Sequence, residues 1–201
     1  MGDNCILLYG GANRGIEKPW IDELSSHFEA GDYLLLQNEI SNLPYIMEKA
    51  IDAGVHIILN PSPMDQQVLD CPVKQVDYII LNEIEAAEIC GLVGKIKDEQ
   101  LAGKLAESFP HTKVILTLGE KGALYLEKGN IIRQESFHVP VVDTTAAGDT
   151  FTGYFFGSIL SGMKPETALQ RAAKAAAIAV TKKGAAPSIP EALEVDGFFS
   201  E

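Results

Sequence analysis

The stretch YLLLQNEISNLPYIMEKAIDAGVHIILN, residues 33–60, decides the fold. It opens with the apolar run Tyr33–Gln37 and closes with a second one, Val55–Asn60, and both have the length and composition of buried strands. Between them, Leu43–Ala53 has apolar residues at helical spacing, and Gly54 stands where a helix C-cap belongs. Since strands separated by a helix imply a crossover connection, this stretch predicts one unit of a parallel sheet.

The same alternation of strand and helix extends on both sides of this unit. Further buried strands are predicted at Cys5–Tyr9, Asp77–Leu81 and Lys113–Leu118, and a hairpin at Gly122–Glu127 and Asn130–Glu135. Further helices are predicted at Pro19–Ala30, with Gly31 as its C-cap, and at Lys97–Phe109, Gly148–Gly162, Pro165–Lys182 and Pro190–Phe199. The expected fold is α/β, a doubly wound, mostly parallel sheet flanked by helices.

Length, composition and charge limit the classes of partner. The 201 residues are 46% apolar, which is enough for a sizeable core, and we expect residues 1–201 to form a single α/β domain. The net charge of -12 argues against nucleic acid. The most apolar stretch, residues 150–163, is too short to span a bilayer, and no secretory signal is visible. Three widely spaced cysteines form no metal-ligand or disulfide pattern, so a cytoplasmic setting is the simplest.

One short segment carries the strongest chemical signal. DTTAAGDTF, residues 143–151, follows an extended run and opens a helix. Its small residues let backbone N–H groups approach a ligand, and the helix N-terminus, with about half a positive charge, favours an anion such as a transferring phosphoryl group. Asp149 lies in that first turn, beside the expected phosphoryl acceptor. An acid in this position also has a purely structural explanation, because it stabilises the helix dipole.

Two further segments follow predicted strands. In LNEIEA, residues 81–86, Asn82 can serve as an N-cap and Glu85 as its capping-box partner, which explains both residues without a ligand. In TLGEKG, residues 117–122, two glycines permit a tight turn and the close approach of a nucleotide. Turns with glycine are common, so residues 117–122 alone are weak evidence for a nucleotide site. Their position between the other two motifs makes that interpretation stronger.

These three segments, in this order, resemble the motifs of the ribokinase-like carbohydrate kinases, the pfkB family. DTTAAGDTF is similar to the second signature of that family, and Ala146, where many members have Gly, resembles the ribokinase branch. The resemblance implies that Asp149 is the general base and that the backbone N–H groups of Ala146, Ala147 and Gly148 line an anion hole. These roles suit phosphoryl transfer, in which positioning and charge stabilisation do most of the catalytic work.

The resemblance also implies a nucleotide site and a magnesium site. Asn82 and Glu85 are similar to a family motif whose acid helps to hold Mg²⁺ near the phosphates through water, and Mg²⁺ needs only one or two carboxylates. ATP is expected to contact Asn82, Gly148 and Ala173 and the turn formed by Thr117, Leu118, Gly119, Glu120, Lys121 and Gly122. For Lys121 two interpretations stay open, a phosphate contact and a solvated surface lysine.

A potassium site and a sugar contact complete the implied set. The segment 172–188 resembles the ribokinase tail that closes the adenine pocket and binds a monovalent cation, although close packing of small side chains also explains its alanines. Activating K⁺ would be surrounded by Asp143, Thr145, Ala179, Lys182, Gly184 and Ser188, with Lys182 acting through its backbone. Gln37–Glu39 is similar to a segment whose acid reaches the sugar, and an exposed loop acid explains Glu39 equally well.

The sequence departs from the family in lacking its opening third, which contains a Gly-rich signature, several sugar-binding residues and a small lid sheet. We therefore expect the nucleotide-binding and catalytic domain to be incomplete at its N-terminus. One hypothesis is an ATP-dependent sugar kinase that phosphorylates a sugar hydroxymethyl, with ribose ahead of fructose, a deoxy-sugar acid or a nucleoside. The other is a non-catalytic nucleotide-binding or regulatory fragment. The expected partners are ATP and a small sugar, and homo-oligomerisation is left open.

Overall fold

The computed structural model describes residues 9–198. Its strands are β1 (Tyr33–Gln37), β2 (His56–Asn60), β3 (Tyr78–Asn82), β4 (Lys113–Thr117), β5 (Ala123–Glu127) and β6 (Asn130–Gln134). Its helices are α1 (Lys18–Ser25), α2 (Leu43–Ala53), α3 (Gln66–Leu69), α4 (Glu83–Ile89), α5 (Asp98–Ser108), α6 (Ala147–Leu160), α7 (Pro165–Ala179) and α8 (Ala192–Gly197). The predicted strand Cys5–Tyr9 lies outside the described residues except for Tyr9, and so does Phe199 of the last predicted helix.

Among the described residues, 9–79 form the first of two compact units. Here β1 pairs in parallel with β2 from Tyr33↔His56 to Gln37↔Asn60, so the predicted crossover unit is confirmed. The buried residues of α2 are Leu43, Ile46, Met47 and Ala50, which recur at intervals of three and four residues. Gly54 ends α2 in the left-handed conformation at φ 73°, as predicted for a C-cap.

The end of α1 differs from the prediction. The helix stops at Ser25, and Gly31 is not its C-cap although it has a φ of +94°. The hydroxyls of Ser25 and Ser26 donate to the carbonyls of Asp22 and Glu23 at 3.1 and 2.6 Å. Such local hydrogen bonds compete with helix continuation, and the apolar spacing beyond Ser25 does not reveal them.

The second unit comprises the described residues 80–198. The predicted hairpin is present, because β5 pairs antiparallel with β6 across Lys128 and Gly129, both at positive φ. β4 also pairs antiparallel with β5. The helices α6 and α7 pack together, with Phe155 and the alanines Ala168, Ala172 and Ala175 fully buried, which is the close packing expected of small residues.

The strands follow the order β1-β2-β3-β4-β5-β6 in one sheet. β2 pairs in parallel with β3 through Ile58↔Tyr78, and β5 pairs antiparallel with both β4 and β6. The helices flank this sheet, and the predicted α/β fold class is confirmed. Among the described residues, no helix has both the length and the apolar character needed to cross a bilayer.

Candidate active site

The segment 143–151 forms the turn that leads into α6. Ala146 is the N-cap of the helix and has left-handed backbone angles, φ 59° and ψ 9°. Its carbonyl accepts the first helical hydrogen bond, from the N–H of Thr150 at 2.9 Å. An L residue in this conformation costs about 1–2 kcal/mol, so the turn is held in place by its surroundings. Asp149 lies in the first turn with its side chain exposed.

Asp143 ties this turn to the loop after α7. Its carboxylate accepts from the backbone N–H of Gly184 at 3.0 Å, from the N–H of Thr145 at 2.9 Å and from the Thr145 hydroxyl at 2.7 Å. These hydrogen bonds, with the Gly184 bond as the largest cause, lower the pKa of Asp143 from 3.8 to about 2. We call this set, Asp143 with Thr145 and Gly184, the Asp143 junction. It brings three of the predicted potassium-binding residues into direct contact.

Of the other predicted potassium-binding residues, Ala179 ends α7, and Lys182 and Ser188 lie between α7 and α8. The carbonyl of Ala179 accepts from the N–H of Lys182 at 3.0 Å, while the Lys182 ammonium pairs with Glu194 at 2.9 Å. Ser188 is fully buried, and its hydroxyl donates to the carbonyl of Ala185 at 2.7 Å. Hard monovalent cations take oxygen donors, and the set offers one carboxylate, hydroxyls and backbone carbonyls. Between residues 9 and 198 no three His, Cys, Asp or Glu side chains are grouped to hold a metal ion.

The predicted magnesium motif forms a complete capping box at the start of α4. The Asn82 side chain accepts from the N–H groups of Ile84 and Glu85, both at 2.9 Å, and the Glu85 carboxylate accepts from the Asn82 N–H at 3.0 Å. Glu85 is 7% exposed. A carboxylate has several acceptor sites, so the structural role of Glu85 is compatible with a contact to a magnesium-bound water.

The predicted nucleotide turn follows β4 and lies beside the end of β3. The Thr117 hydroxyl donates to the carbonyl of Leu81 at 3.3 Å, and the Leu118 N–H donates to the carbonyl of Gly122 at 2.8 Å. Gly122 has φ 96° and ψ −135°, and a Cβ there would overlap the carbonyl oxygen of Gln134. The turn therefore requires glycine at this position.

Lys121 makes contacts that neither of its two interpretations included. Its ammonium lies 2.9 Å from a carboxylate oxygen of Glu83 and 2.8 and 3.1 Å from both oxygens of Asp98. These acids are the first residues of α4 and α5. The pair with Asp98 is the largest cause that raises the pKa of Lys121, and the pair with Glu83 comes next.

Comparison with known proteins identifies the family to which this fold and these motifs belong. The sequence profile described as "pfkB family carbohydrate kinase" matches residues 2–192. The chain belongs to the pfkB family of carbohydrate kinases. It is similar to the ribokinases of Schizosaccharomyces pombe and Haemophilus influenzae, with 35% and 37% identity over 99% and 98% of its length. It spans 64% and 65% of the length of these two relatives.

A solved structure agrees with this assignment. The ribokinase of Arabidopsis thaliana, whose structure is a complex with ribose and ATP, matches with a TM-score of 0.80 and 30% identity. The match covers 100% of this chain and 66% of that ribokinase. The ribokinase-like α/β fold predicted from the sequence is therefore shown for this pfkB family member.

The predicted sugar residue of this family member lies in the first unit. Glu39 is exposed in the turn after β1. Its neighbour Asn38 is fully buried and donates to the carbonyl of Pro63 at 2.6 Å and to Asp65 at 2.9 Å. Gln67 donates to the Asn38 side chain at 2.7 Å. Ala173, predicted to contact the nucleotide, lies in the second unit on α7 and is 7% exposed.

Two sets of polar partners were missed by sequence reasoning. They are Asn38 with Asp65 and Gln67 in the first unit, and Lys121 with Glu83 and Asp98 in the second. Each set joins residues more than twenty positions apart. Asp98 opens a helix and Asp65 caps one, so local patterns explain both acids without a distant partner. The sequence carried no signal for these pairs.

Proposed function

We propose that this protein is an ATP-dependent sugar kinase, or the nucleotide-binding and catalytic part of one, with ribose as its sugar. The observation that carries the proposal is the placement of Asp149 in the first turn of α6, directly after a strained turn that the Asp143 junction holds in place. Similarity to two ribokinases at 35% and 37% identity supports ribose over other sugars.

In this proposal Asp149 acts as the general base. Its carboxylate takes the proton of a sugar hydroxymethyl, whose oxygen attacks the γ-phosphorus of ATP as the bond from that phosphorus to the ADP oxygen breaks. The backbone N–H groups of Ala146, Ala147 and Gly148 would stabilise the charge on the transferring group. The Ala147 N–H donates to the Thr144 carbonyl at 3.3 Å, a long bond that it would exchange for a phosphoryl oxygen. The products are a sugar phosphate, ADP and a proton.

Two cations complete the proposed site. Glu85, assisted by Asn82, would hold water-coordinated Mg²⁺, and the Asp143 junction with Ala179, Lys182 and Ser188 would hold K⁺. When bound, Mg²⁺ would neutralise part of the phosphate charge, and K⁺ would order the anion-hole loop without touching the substrate. The Asp143 junction suits K⁺ because its donors are mostly oxygen atoms. The pKa of Asp143, about 2, also keeps its carboxylate ionised.

ATP and a small sugar are the proposed ligands, and the net charge of -12 argues against nucleic acid. A cytoplasmic location stays a prediction from the sequence. One domain over residues 1–201 and any homo-oligomer stay predictions.

Calorimetry with Mg-ATP and with ribose, together with a coupled assay of ADP release, tests the proposed function. We expect the 201-residue chain to bind Mg-ATP weakly and to phosphorylate ribose negligibly. Correct positioning of two reactants lowers the reaction barrier by up to ~7–11 kcal/mol, and a sugar that is not fully oriented loses much of this reduction. A form extended at its N-terminus to the full length of its ribokinase relatives should turn over ribose.

The outcomes separate the two candidate functions. Robust ribose-dependent turnover by the 201-residue chain would show that this account of the sugar site is wrong. ATP binding without turnover in the extended form would favour the non-catalytic fragment, the second candidate. No ATP binding by either form would contradict the nucleotide site itself.

A further inference from the structure

The nucleotide turn of the second unit is attached to two helices by one side chain. Lys121 ends the short 3-10 turn Gly119–Lys121, and its ammonium is shared by Glu83 at the start of α4 and Asp98 at the start of α5. The side chain of Lys121 is 52% exposed and that of Asp98 is 19% exposed, so the Asp98 carboxylate is better shielded from water than the Lys121 ammonium.

These contacts occupy the ammonium. An ammonium has three N–H donors, and three carboxylate oxygens lie between 2.8 and 3.1 Å from Lys121 Nζ. To bind a phosphate, Lys121 would have to give up one or both acids and leave their negative charges beside the phosphates. The observed geometry is therefore unfavourable for a direct phosphate contact.

The same contacts fix the turn relative to the magnesium motif. Glu83 follows Asn82 in the chain and lies in the same helical turn as Glu85, so its pair with Lys121 connects the turn to the capping box. The adjacent residue, Glu120, is also fixed, because its carbonyl accepts a hydrogen bond from the Ser136 hydroxyl.

We propose that Lys121 is a positioning residue for the nucleotide, and that with Glu83 and Asp98 it forms a clamp that holds the turn in its binding conformation rather than contacting a phosphate. This Lys121 clamp rests on the proposed function, because it presumes that the turn binds ATP. Loss of the clamp loosens the turn and weakens binding of the base and ribose portion as much as binding of the phosphates.

Comparison of a charged with an uncharged ligand tests the clamp. Affinities for Mg-ATP and for adenosine would be measured by calorimetry for the wild type, Lys121→Met, Lys121→Arg and the control Lys104→Met. Lys104 forms an exposed pair with Glu107 at 2.6 Å on α5, so its removal deletes a similar surface ion pair away from the turn. We expect Lys121→Met to weaken both ligands by the same factor, about three- to fivefold, as two partly exposed ion pairs are lost.

The other variants and the salt dependence sharpen the expected pattern. Lys121→Arg should retain most of the affinity, and Lys104→Met should leave it unchanged. Added salt should weaken adenosine binding in the wild type but not in Lys121→Met, because adenosine carries no charge and the sensitivity comes from the clamp.

Three results would overturn the inference in different ways. If Lys121→Met weakened Mg-ATP alone, Lys121 would be a phosphate ligand. Unchanged affinity for both ligands would make Lys121 a surface ion pair without a role in binding. If the wild type bound neither ligand, the proposed nucleotide site would fail and the clamp with it, whereas the first two results leave that site intact.

Discussion

The Asp143 junction and the Lys121 clamp both hold a predicted ligand-binding loop, but they use different kinds of bond. Asp143 accepts from two backbone N–H groups and a hydroxyl, and these bonds lower its pKa to about 2. Lys121 relies on two acidic side chains, and its own side chain is 52% exposed. Bonds to backbone are fixed by the fold, whereas exposed ion pairs contribute about 0–1 kcal/mol and weaken in salt. The junction should therefore tolerate much less change than the clamp.

The largest expected effect of a single substitution on stability lies in the backbone of the clamped turn. Gly122→Ala would force a Cβ onto the carbonyl of Gln134 at a φ of 96°. We expect the free energy of unfolding to fall by at least about 2 kcal/mol, measured by urea denaturation.

Gly103→Ala is the matched control for that substitution. Gly103 lies inside α5 with no atom near its Cβ position, so alanine should stabilise the chain by about 0.5–1 kcal/mol. If Gly122→Ala were as stable as the wild type, the backbone of the turn could rearrange around the added Cβ. The turn would then not be more rigid than the Lys121 clamp that holds it.

Asp143→Asn should lower the free energy of unfolding by less than Gly122→Ala does, and its effect should depend on pH. Because the folded-state pKa lies below the ordinary value of 3.8, the stabilisation is complete above that value and is lost as the pH falls towards about 2. The variant should therefore be less stable near neutral pH, and its unfolding free energy should fall less steeply through that window. Unfolding curves recorded at several pH values measure both.

The same variant should abolish the response to potassium. We expect K⁺ to raise nucleotide affinity in the wild type, and Lys182→Met, which removes only an exposed pair with Glu194, should keep that response. If the nucleotide affinity of the wild type responded to none of potassium, rubidium and caesium, the proposed cation site would be wrong. A potassium response retained by Asp143→Asn would separate the junction from the cation.

Sequence reasoning succeeded where the decisive bonds are local. The strand Tyr33–Gln37, the helix Leu43–Ala53 and the capping box of Asn82 and Glu85 follow from spacing and from neighbours within four positions. The Asp143 junction spans 41 residues, and only the resemblance to a family placed its two segments together.

Prediction failed where side-chain hydrogen bonds decide the structure. At the early end of α1, the hydroxyls of Ser25 and Ser26 donate to the carbonyls of Asp22 and Glu23, and such bonds compete with continuation of the helix. Lys121 was open between two interpretations because Asp98, 23 positions away, already has a local explanation at a helix N-terminus. A surface lysine and a helix-capping acid give no periodic pattern that would pair them.

The assignment of Asp149 as the general base underlies the proposed function. It is tested most directly by the turnover of Asp149→Asn in the form extended to the length of the ribokinase relatives, with ATP affinity measured on the same protein. We expect kcat to fall by at least ~100-fold while ATP affinity stays nearly unchanged, since only proton transfer is lost. Near-normal turnover by this variant would contradict the assignment of Asp149.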